Sequence, residues 1–261
     1  MSEHVRYEVD DASIATITID KPARRNALDD EMRDAFYAAI AAAGADDKVR
    51  CVILTGAGGV FSSGRDLRDL QNRPPEQRGR TGDNVGESGL WHLAACPKPV
   101  IAAVDGAAVG WGVEITSHCD VRIASTRARF GWVFVHRGLV TDTAAGTWIL
   151  PRLVGLAEAA RLLYSGEMID AAEALRIGYV QAVVPPEDLM TAARAEAVRF
   201  TKGSPFAMRR IKRLLWQGLH QSVPEHYEAT KQALFECFVS ADHKEGIAAF
   251  LEKRPPAFTG R

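Results

Sequence analysis

Residues 97–120 read P-K-P-V-I-A-A-V-D-G-A-A-V-G-W-G-V-E-I-T-S-H-C-D, and this stretch decides the fold. Pro99 to Val104 is a short apolar strand, Asp105-Gly106 breaks it, and Gly110-Trp111-Gly112 opens a helix with Glu114 in its first turn. Backbone N–H groups at a helix start point outward and can receive charge developing on a substrate oxygen. A carboxylate a few residues on can then move a proton on the same substrate. The pattern equally fits a glycine turn used for tight packing, with Glu114 serving only as a partner of the helix dipole.

Upstream, Ser13 to Asp20 alternates apolar and small polar residues and reads as a strand that Lys21-Pro22 ends. Asn26-Ala27-Leu28-Asp29 opens a helix to about Ala43, with Leu28, Met32, Phe36 and Ile40 on one face. Val49 to Thr55 is a nearly continuous apolar strand followed by Gly56-Ala57-Gly58-Gly59. A dinucleotide fingerprint is rejected, because Phe61 stands where its last glycine belongs and no clear helix follows. Phe61-Ser62-Ser63-Gly64-Arg65-Asp66-Leu67 is instead a second tight turn, able to present a backbone N–H near Arg65. Ser63 lacks a G-x-S-x-G elbow, so turn chemistry is preferred to a nucleophilic role. Arg68 to Leu90, rich in Pro, Gly and charge, reads as a lid or as plain surface, and Trp91 to Ala95 regains an apolar pattern.

Downstream, Asp120 to Ala124 is a short strand, and Phe130 to Asp142 presents a bulky apolar wall ending in an acid. Ala145–Val154, Ala157–Tyr164 and Ala171–Ile177 read as helices, and Tyr179–Val184 as the last strand. Leu189–Phe200, Pro205–Leu219, Pro224–Val239 and His243–Leu251 are helical, giving an α/β body followed by a helical appendage.

The bulk numbers agree with this outline. The chain has 261 residues, 47% hydrophobic and 25% charged, enough for one large domain or a domain with an appendage. A formal net charge of -1 gives no general case for nucleic acid or an anionic membrane, so any anion must be held locally. Met1 to Asp10 lacks the apolar core of a signal peptide and no apolar run is long enough to span a bilayer, so a cytoplasmic protein is expected. Cys51, Cys96, Cys119 and Cys237 are scattered without a C-x-x-C pair and read as buried thiols, not a disulfide framework or zinc site. His118 and Asp120 flank Cys119, and adjacent residues on an extended segment point to opposite faces, against a joint metal site of the three. His136 reads as packed or solvent-facing. The basic run Met208 to Arg213 precedes Leu214, Leu215 and Trp216 at amphipathic spacing and reads as a solvated helix face.

The two glycine turns, F-S-S-G-R-D-L and V-D-G-A-A-V-G-W-G-V-E, each follow a strand and each read as opening toward a pocket. Together with D-K-P-A-R-R-N-A-L, H-C-D-V-R-I-A, G-L-V-T-D, L-P-R-L-V-G and E-K-R-P-P-A-F, they make the chain resemble the crotonase family (enoyl-CoA hydratase/isomerase) over essentially its full length. The resemblance implies an α/β spiral of β-β-α units over residues 1–200. It also implies a C-terminal helical region over 201–261 that trimerises and covers the pocket, in a homotrimer or dimer of trimers. It implies an acyl-CoA substrate, with coenzyme A entering as part of that substrate and no bound cofactor or metal.

Carried onto matching positions, the backbone N–H groups of Arg65 and Trp111 would hold the thioester oxygen as an enolate forms. The family commonly has small residues at both places, which leaves the pocket shape open. Coenzyme A would lie against Lys21, Ala23 and Arg24, with Ser63, Asp66 and Leu67 on its other side; Arg25 could serve there or be a surface cation. Of the two hydratase glutamates, one matches Glu114 and the other falls at Phe134. Asp142 stands where some isomerases and dehalogenases of the family place a catalytic Asp, and V-F-V-H-R-G-L-V-T-D is similar to the phenylacetate-pathway isomerase branch. With Trp132 and Phe134 lining the acyl pocket, an apolar wall would suit a carboxyl that both takes and returns a proton. Isomerisation by Glu114 and Asp142 is thus slightly favoured over hydration, while Asp142 could instead cap the following helix. The alternatives are a non-catalytic acyl-CoA-binding protein, or another enolate reaction such as thioester hydrolysis.

Overall fold

The computed structural model describes residues 3–66, 68, 71, 91–141 and 143–261. Leu67, Asp142 and nearly all of the Arg68 to Leu90 segment lie outside the described residues. The chain opens with an antiparallel pair, β1 (Val5–Val9) on β2 (Ile14–Ile19). Helix α1 (Asp30–Ala45) starts four residues later than the Asn26 expected from sequence, because Arg25 and Asn26 both adopt a left-handed φ of 53°. Asp29 is its N-cap and accepts the Met32 amide at 2.9 Å.

From β3 (Cys51–Gly56) the chain passes through α2 (Trp91–Ala95) to β4 (Val100–Val104), a short β5 (Ala107–Val109) and α3 (Trp111–Ser117). It continues through β6 (Val121–Ser125) and β7 (Arg129–Gly131). A π-helical turn, Ala145–Ile149, replaces the first half of the helix expected over Ala145 to Val154, and α4 (Leu150–Val154) and α5 (Leu156–Ser165) follow. After β8 (Met168–Asp170), α6 (Ala171–Arg176) and β9 (Ala182–Val184), the chain ends in α7 (Leu189–Thr201), α8 (Pro205–Gly218), α9 (Val223–Phe238) and α10 (Ala241–Glu252).

The larger sheet has the order β1-β2-β3-β4-β6-β9 and is parallel apart from its β1 edge; β5-β7-β8 form a second, smaller sheet. The parallel strands are buried on both faces, which is why β3 and β4 read as unbroken apolar runs. Val52 and Leu54 face a core closed by Met32, Phe36 and Ile40 of α1. Cys51 and Ile53 face the opposite way, against Leu189, Ala193 and Ala197 of α7.

Three expectations are corrected. Phe130 and Trp132 are buried, but Val135, Leu139 and Val140 are exposed, so Phe130 to Asp142 is not one continuous wall. Cys237 is half-buried, unlike the other three cysteines. Lys212, read as part of a solvated face, is buried, with its ammonium donating to the Leu93 and Lys98 carbonyls and to Asp120.

Candidate active site

The two glycine turns meet backbone to backbone. Ser62 pairs with Ala108, through Ser62 N–H to the Ala107 carbonyl at 3.0 Å and Val109 N–H to the Ser62 carbonyl at 2.9 Å. On its other edge the same segment pairs with Leu28, which donates to the Gly64 carbonyl and accepts from the Asp66 amide. That pairing uses the groups flanking Arg65, so the Arg65 amide points away from Leu28. Gly64 has φ +92°, and a Cβ there would stand 2.9 Å from the Trp111 nitrogen. Only glycine allows this turn to approach the first residue of α3 so closely. A Cβ on Gly112 would lie 2.3 Å from the Ser62 carbonyl oxygen, so the approach is tight along the start of the helix.

The side chains of the two predicted oxyanion residues lead away from this junction. Arg65 pairs with Asp30 at 3.2 Å. Trp111 is buried edge-on against Phe36 and Tyr37 of α1, at ring-centroid distances of 6.5 and 6.0 Å. The bulky residue that left the pocket shape open therefore fills the core.

Every residue of α3 is buried, and the helix is held from below and behind. The Tyr179 hydroxyl lies 2.7 Å from Thr116 Oγ1 and 2.8 Å from Ser117 Oγ, and burial pushes its pKa up to about 12. Arg122 donates to the Thr116 and Cys119 carbonyls at the C-terminal end, where a cation suits the helix dipole. His118 Nδ1 lies 2.9 Å from the Glu114 carbonyl oxygen, which can only accept, so that nitrogen carries the proton. Burial holds the imidazole neutral, with its pKa lowered to about 4. His118 and Asp120 thus serve different partners, Asp120 accepting the Val100 amide and the Lys212 ammonium.

On this fixed helix Glu114 is completely buried, and its Oε2 accepts a hydrogen bond from the Thr143 hydroxyl at 2.7 Å. Asp142, beside Thr143 in the chain, lies outside the described residues. Phe134, at the position of the second hydratase glutamate, is half-buried and packs on the core. Trp132 is fully buried, edge-on to Tyr179 at 5.0 Å. Thr143 escaped the sequence reading because it stands next to Asp142, the more conspicuous acid.

The predicted coenzyme A residues are brought together. Arg24, on the turn Pro22–Arg24, reaches to 3.7 Å from Asp66, and the Ser63 amide donates to the Arg25 carbonyl at 3.0 Å. Ala23 is exposed on the same turn, while Lys21 is ion-paired with Asp29 at 2.7 Å. Leu67 lies outside the described residues. The buried Asn26 joins these loops: its side chain donates to the Ala57 and Val60 carbonyls and accepts the Lys21 amide, and its carbonyl accepts from Ser62 Oγ. The sequence signal for Asn26 was its place between Arg25 and Ala27 before the helix, since Asn tolerates left-handed backbone. Among the described residues no cluster of His, Cys, Asp and Glu is placed to hold a metal ion, and no helix is long and apolar enough to cross a membrane.

Comparison with known proteins places the chain in a family. Residues 10–261 match the family model described as enoyl-CoA hydratase/isomerase. The short-chain-enoyl-CoA hydratase of Clostridium acetobutylicum is 37% identical, over 94% of this chain and 93% of that protein. The 1,2-epoxyphenylacetyl-CoA isomerase of Escherichia coli is 33% identical over 95% of both. A crystal structure of an enoyl-CoA hydratase from Bacillus anthracis superposes with a TM-score of 0.92 at 29% identity, covering 99% of this chain and all of that one. The chain belongs to the enoyl-CoA hydratase/isomerase family, and its α/β spiral with a helical C-terminal region is the crotonase fold.

Proposed function

We propose that the protein binds an enoyl-CoA thioester, stabilises its enolate on the backbone N–H groups of Arg65 and Trp111, and moves the double bond with Glu114 as the proton carrier. Glu114 takes a proton from carbon, negative charge passes to the thioester oxygen between the two amides, and the proton returns to a different carbon of the conjugated system. Each amide contributes on the order of 3 kcal/mol to such a transition state, and a positioned acid/base about 10²–10⁴ in rate. The observation that carries this reading is the buried Glu114 carboxylate, held by Thr143 on a helix whose first residue packs against Gly64.

Coenzyme A lies along Lys21, Ala23 and Arg24 on one side and Ser63, Asp66 and Leu67 on the other. Asp142 is the second acid/base, and Trp132 and Phe134 back the acyl side. Isomerisation is favoured over hydration because Phe134 cannot transfer a proton. Hydration is the second reading, favoured by relatives named as hydratases. Residues 201–261 form the trimerising region, consistent with the exposed Val223, Phe235, Phe238 and Phe250 on its helices.

The test is mass spectrometry of a short 2-enoyl-CoA incubated with the protein in deuterium oxide. Deuterium on carbon without added water, lost in Glu114→Gln, is expected. A hydrated product would transfer the reading to hydration, and no change in any enoyl-CoA would sink both.

A further inference from the structure

A cavity of about 1100 Å³ opens between α2, the π-helical turn and α8. Its walls carry Trp91, Trp148 and Trp216, with small Ala94, Ala95 and Ala144 between them. Trp91 is central: its ring lies 5.6 Å from Trp148 and 6.0 Å from Trp216, tilted at 60° and 76°. All three are only half-buried, so each ring keeps surface that the protein itself does not cover.

We propose that this cavity receives the acyl portion of the thioester and that the acyl group it is shaped for carries an aromatic ring. The inference rests on the acyl-CoA reading above and names the substrate class for the same site. The cavity adjoins the proton carrier through neighbouring residues. Ala144 lines the cavity and is the neighbour of Thr143, whose hydroxyl holds Glu114. From the other side, Trp91 packs edge-on at 5.1 Å against His118, which is bonded to the Glu114 carbonyl.

The chemistry of the walls selects the ligand. Mutually tilted indoles offer both faces and edges, which an aromatic ring matches by stacked and edge-to-face contact and an alkyl chain does not. Of the cations on the α8 side, Lys212 is committed to Asp120, Arg210 to Glu236 at 2.7 Å and Arg209 to the Gly260 carbonyl, while Arg213 also lines the wall. Aromatic contact is the selectivity that the three indoles supply.

Two saturated thioesters, 3-phenylpropionyl-CoA and butyryl-CoA, share the coenzyme and cannot be hydrated or isomerised. Calorimetric titration of the full-length protein is expected to show at least tenfold tighter binding of the phenyl compound, about 1.4 kcal/mol. Trp148→Ala and Trp216→Ala should each cut that ratio at least threefold, while Trp148→Phe, which keeps a ring, should retain most of it. Equal binding of both thioesters by the unaltered protein would overturn the inference and leave the acyl-CoA reading standing. So would a ratio unchanged in both Ala variants, or a Trp148→Phe loss as large as that of Trp148→Ala. Binding of neither thioester would overturn the acyl-CoA reading, and the inference with it.

Discussion

The ammonium of Lys212 and the carboxylate of Asp120 meet at 2.7 Å across the seam between α8 and the strands beneath it. The same Asp120 oxygen accepts the Val100 amide at the start of β4, and the ammonium also donates to the Leu93 and Lys98 carbonyls. One buried cation thus ties the C-terminal helices to the strand that leads into the site. Lys212→Met removes the charge and keeps the apolar stem, leaving the carboxylate without its cation, held only by the Val100 amide, and two carbonyls without the ammonium donor. Breaking such a pair costs about 3 kcal/mol. A drop of roughly 6–12 °C in Tm is expected at the 2–4 °C per kcal/mol typical of large domains. Because Lys212 is buried, most of the loss should persist in 1 M salt, where exposed pairs are screened. A Tm within 2 °C of the unaltered protein would show that α8 is held by its apolar contacts alone.

Thr143 is a positioning residue whose hydroxyl fixes one oxygen of Glu114. Thr143→Val keeps the shape and removes the donor. A hydrogen bond to a charged group is worth about 1.5–3 kcal/mol, so turnover with enoyl-CoA should fall by about ten- to a hundredfold. KM should move less, and the pH profile of kcat should shift, because the carboxylate loses a bond that favours its charged form. Thr143→Ser should restore most of the activity. If Thr143→Val and Thr143→Ser were equally impaired with unshifted profiles, the side chain would be packing and no more.

Gly64 keeps the two glycine turns together. Its φ of +92° strains any other residue, and a Cβ would lie 2.9 Å from both the Trp111 nitrogen and the Val109 carbonyl oxygen. Gly64→Ala should push the Arg65 and Trp111 amides apart and lower kcat about a hundredfold, the scale of losing one oxyanion donor. Gly138 makes the control. Its φ of +65° is also left-handed, but nothing lies within 4 Å of a Cβ there. Gly138→Ala should cost about 1 kcal/mol of stability and leave kcat unchanged. Steady-state kinetics and thermal melts of the two variants separate backbone strain from damage to the site; equal kcat in both would remove the amide pair from the mechanism.

The sequence made some of this legible and hid the rest for physical reasons. Strands buried on both faces, such as Val100 to Val104, declare themselves as apolar runs, and α1 shows through the spacing of Met32, Phe36 and Ile40. The three-residue strands Ala107–Val109, Arg129–Gly131 and Met168–Asp170 do not, since they are defined by pairing with segments distant in the chain. Glu114 stood out because an acid in the first turn after a glycine break is a local pattern. Thr143, Asn26 and the Trp91–Trp148–Trp216 cluster join parts of the chain far apart in sequence, and no window around Thr143 or Asn26 reaches Glu114, Ala57 or Val60. Lys212 misled for the same reason: its amphipathic context is local, while Asp120 is 92 residues away.

His118 gives the fold a pH dependence of definite sign. The imidazole has an ordinary pKa of 6.5 and is lowered by burial to about 4. Between those values the unfolded chain binds a proton that the folded chain refuses, so stability rises with pH across this window and is lost as pH falls through it. At most 1.36 kcal/mol is lost per pH unit, about 3 kcal/mol in all by the acid end. Asp29, Asp105, Asp242 and Glu245 are held below their ordinary values of 3.8 and 4.5, so their contributions are essentially intact above about pH 5 and are lost as pH falls further. Urea unfolding at pH 7 and pH 5 should therefore show a stability loss that largely disappears in His118→Gln, whose side chain does not titrate. In the intact protein the His118 ring signals in NMR should not shift between pH 8 and pH 5. A midpoint near 6.5 for those signals would mean that the ring reaches solvent and that α3 is not closed around it.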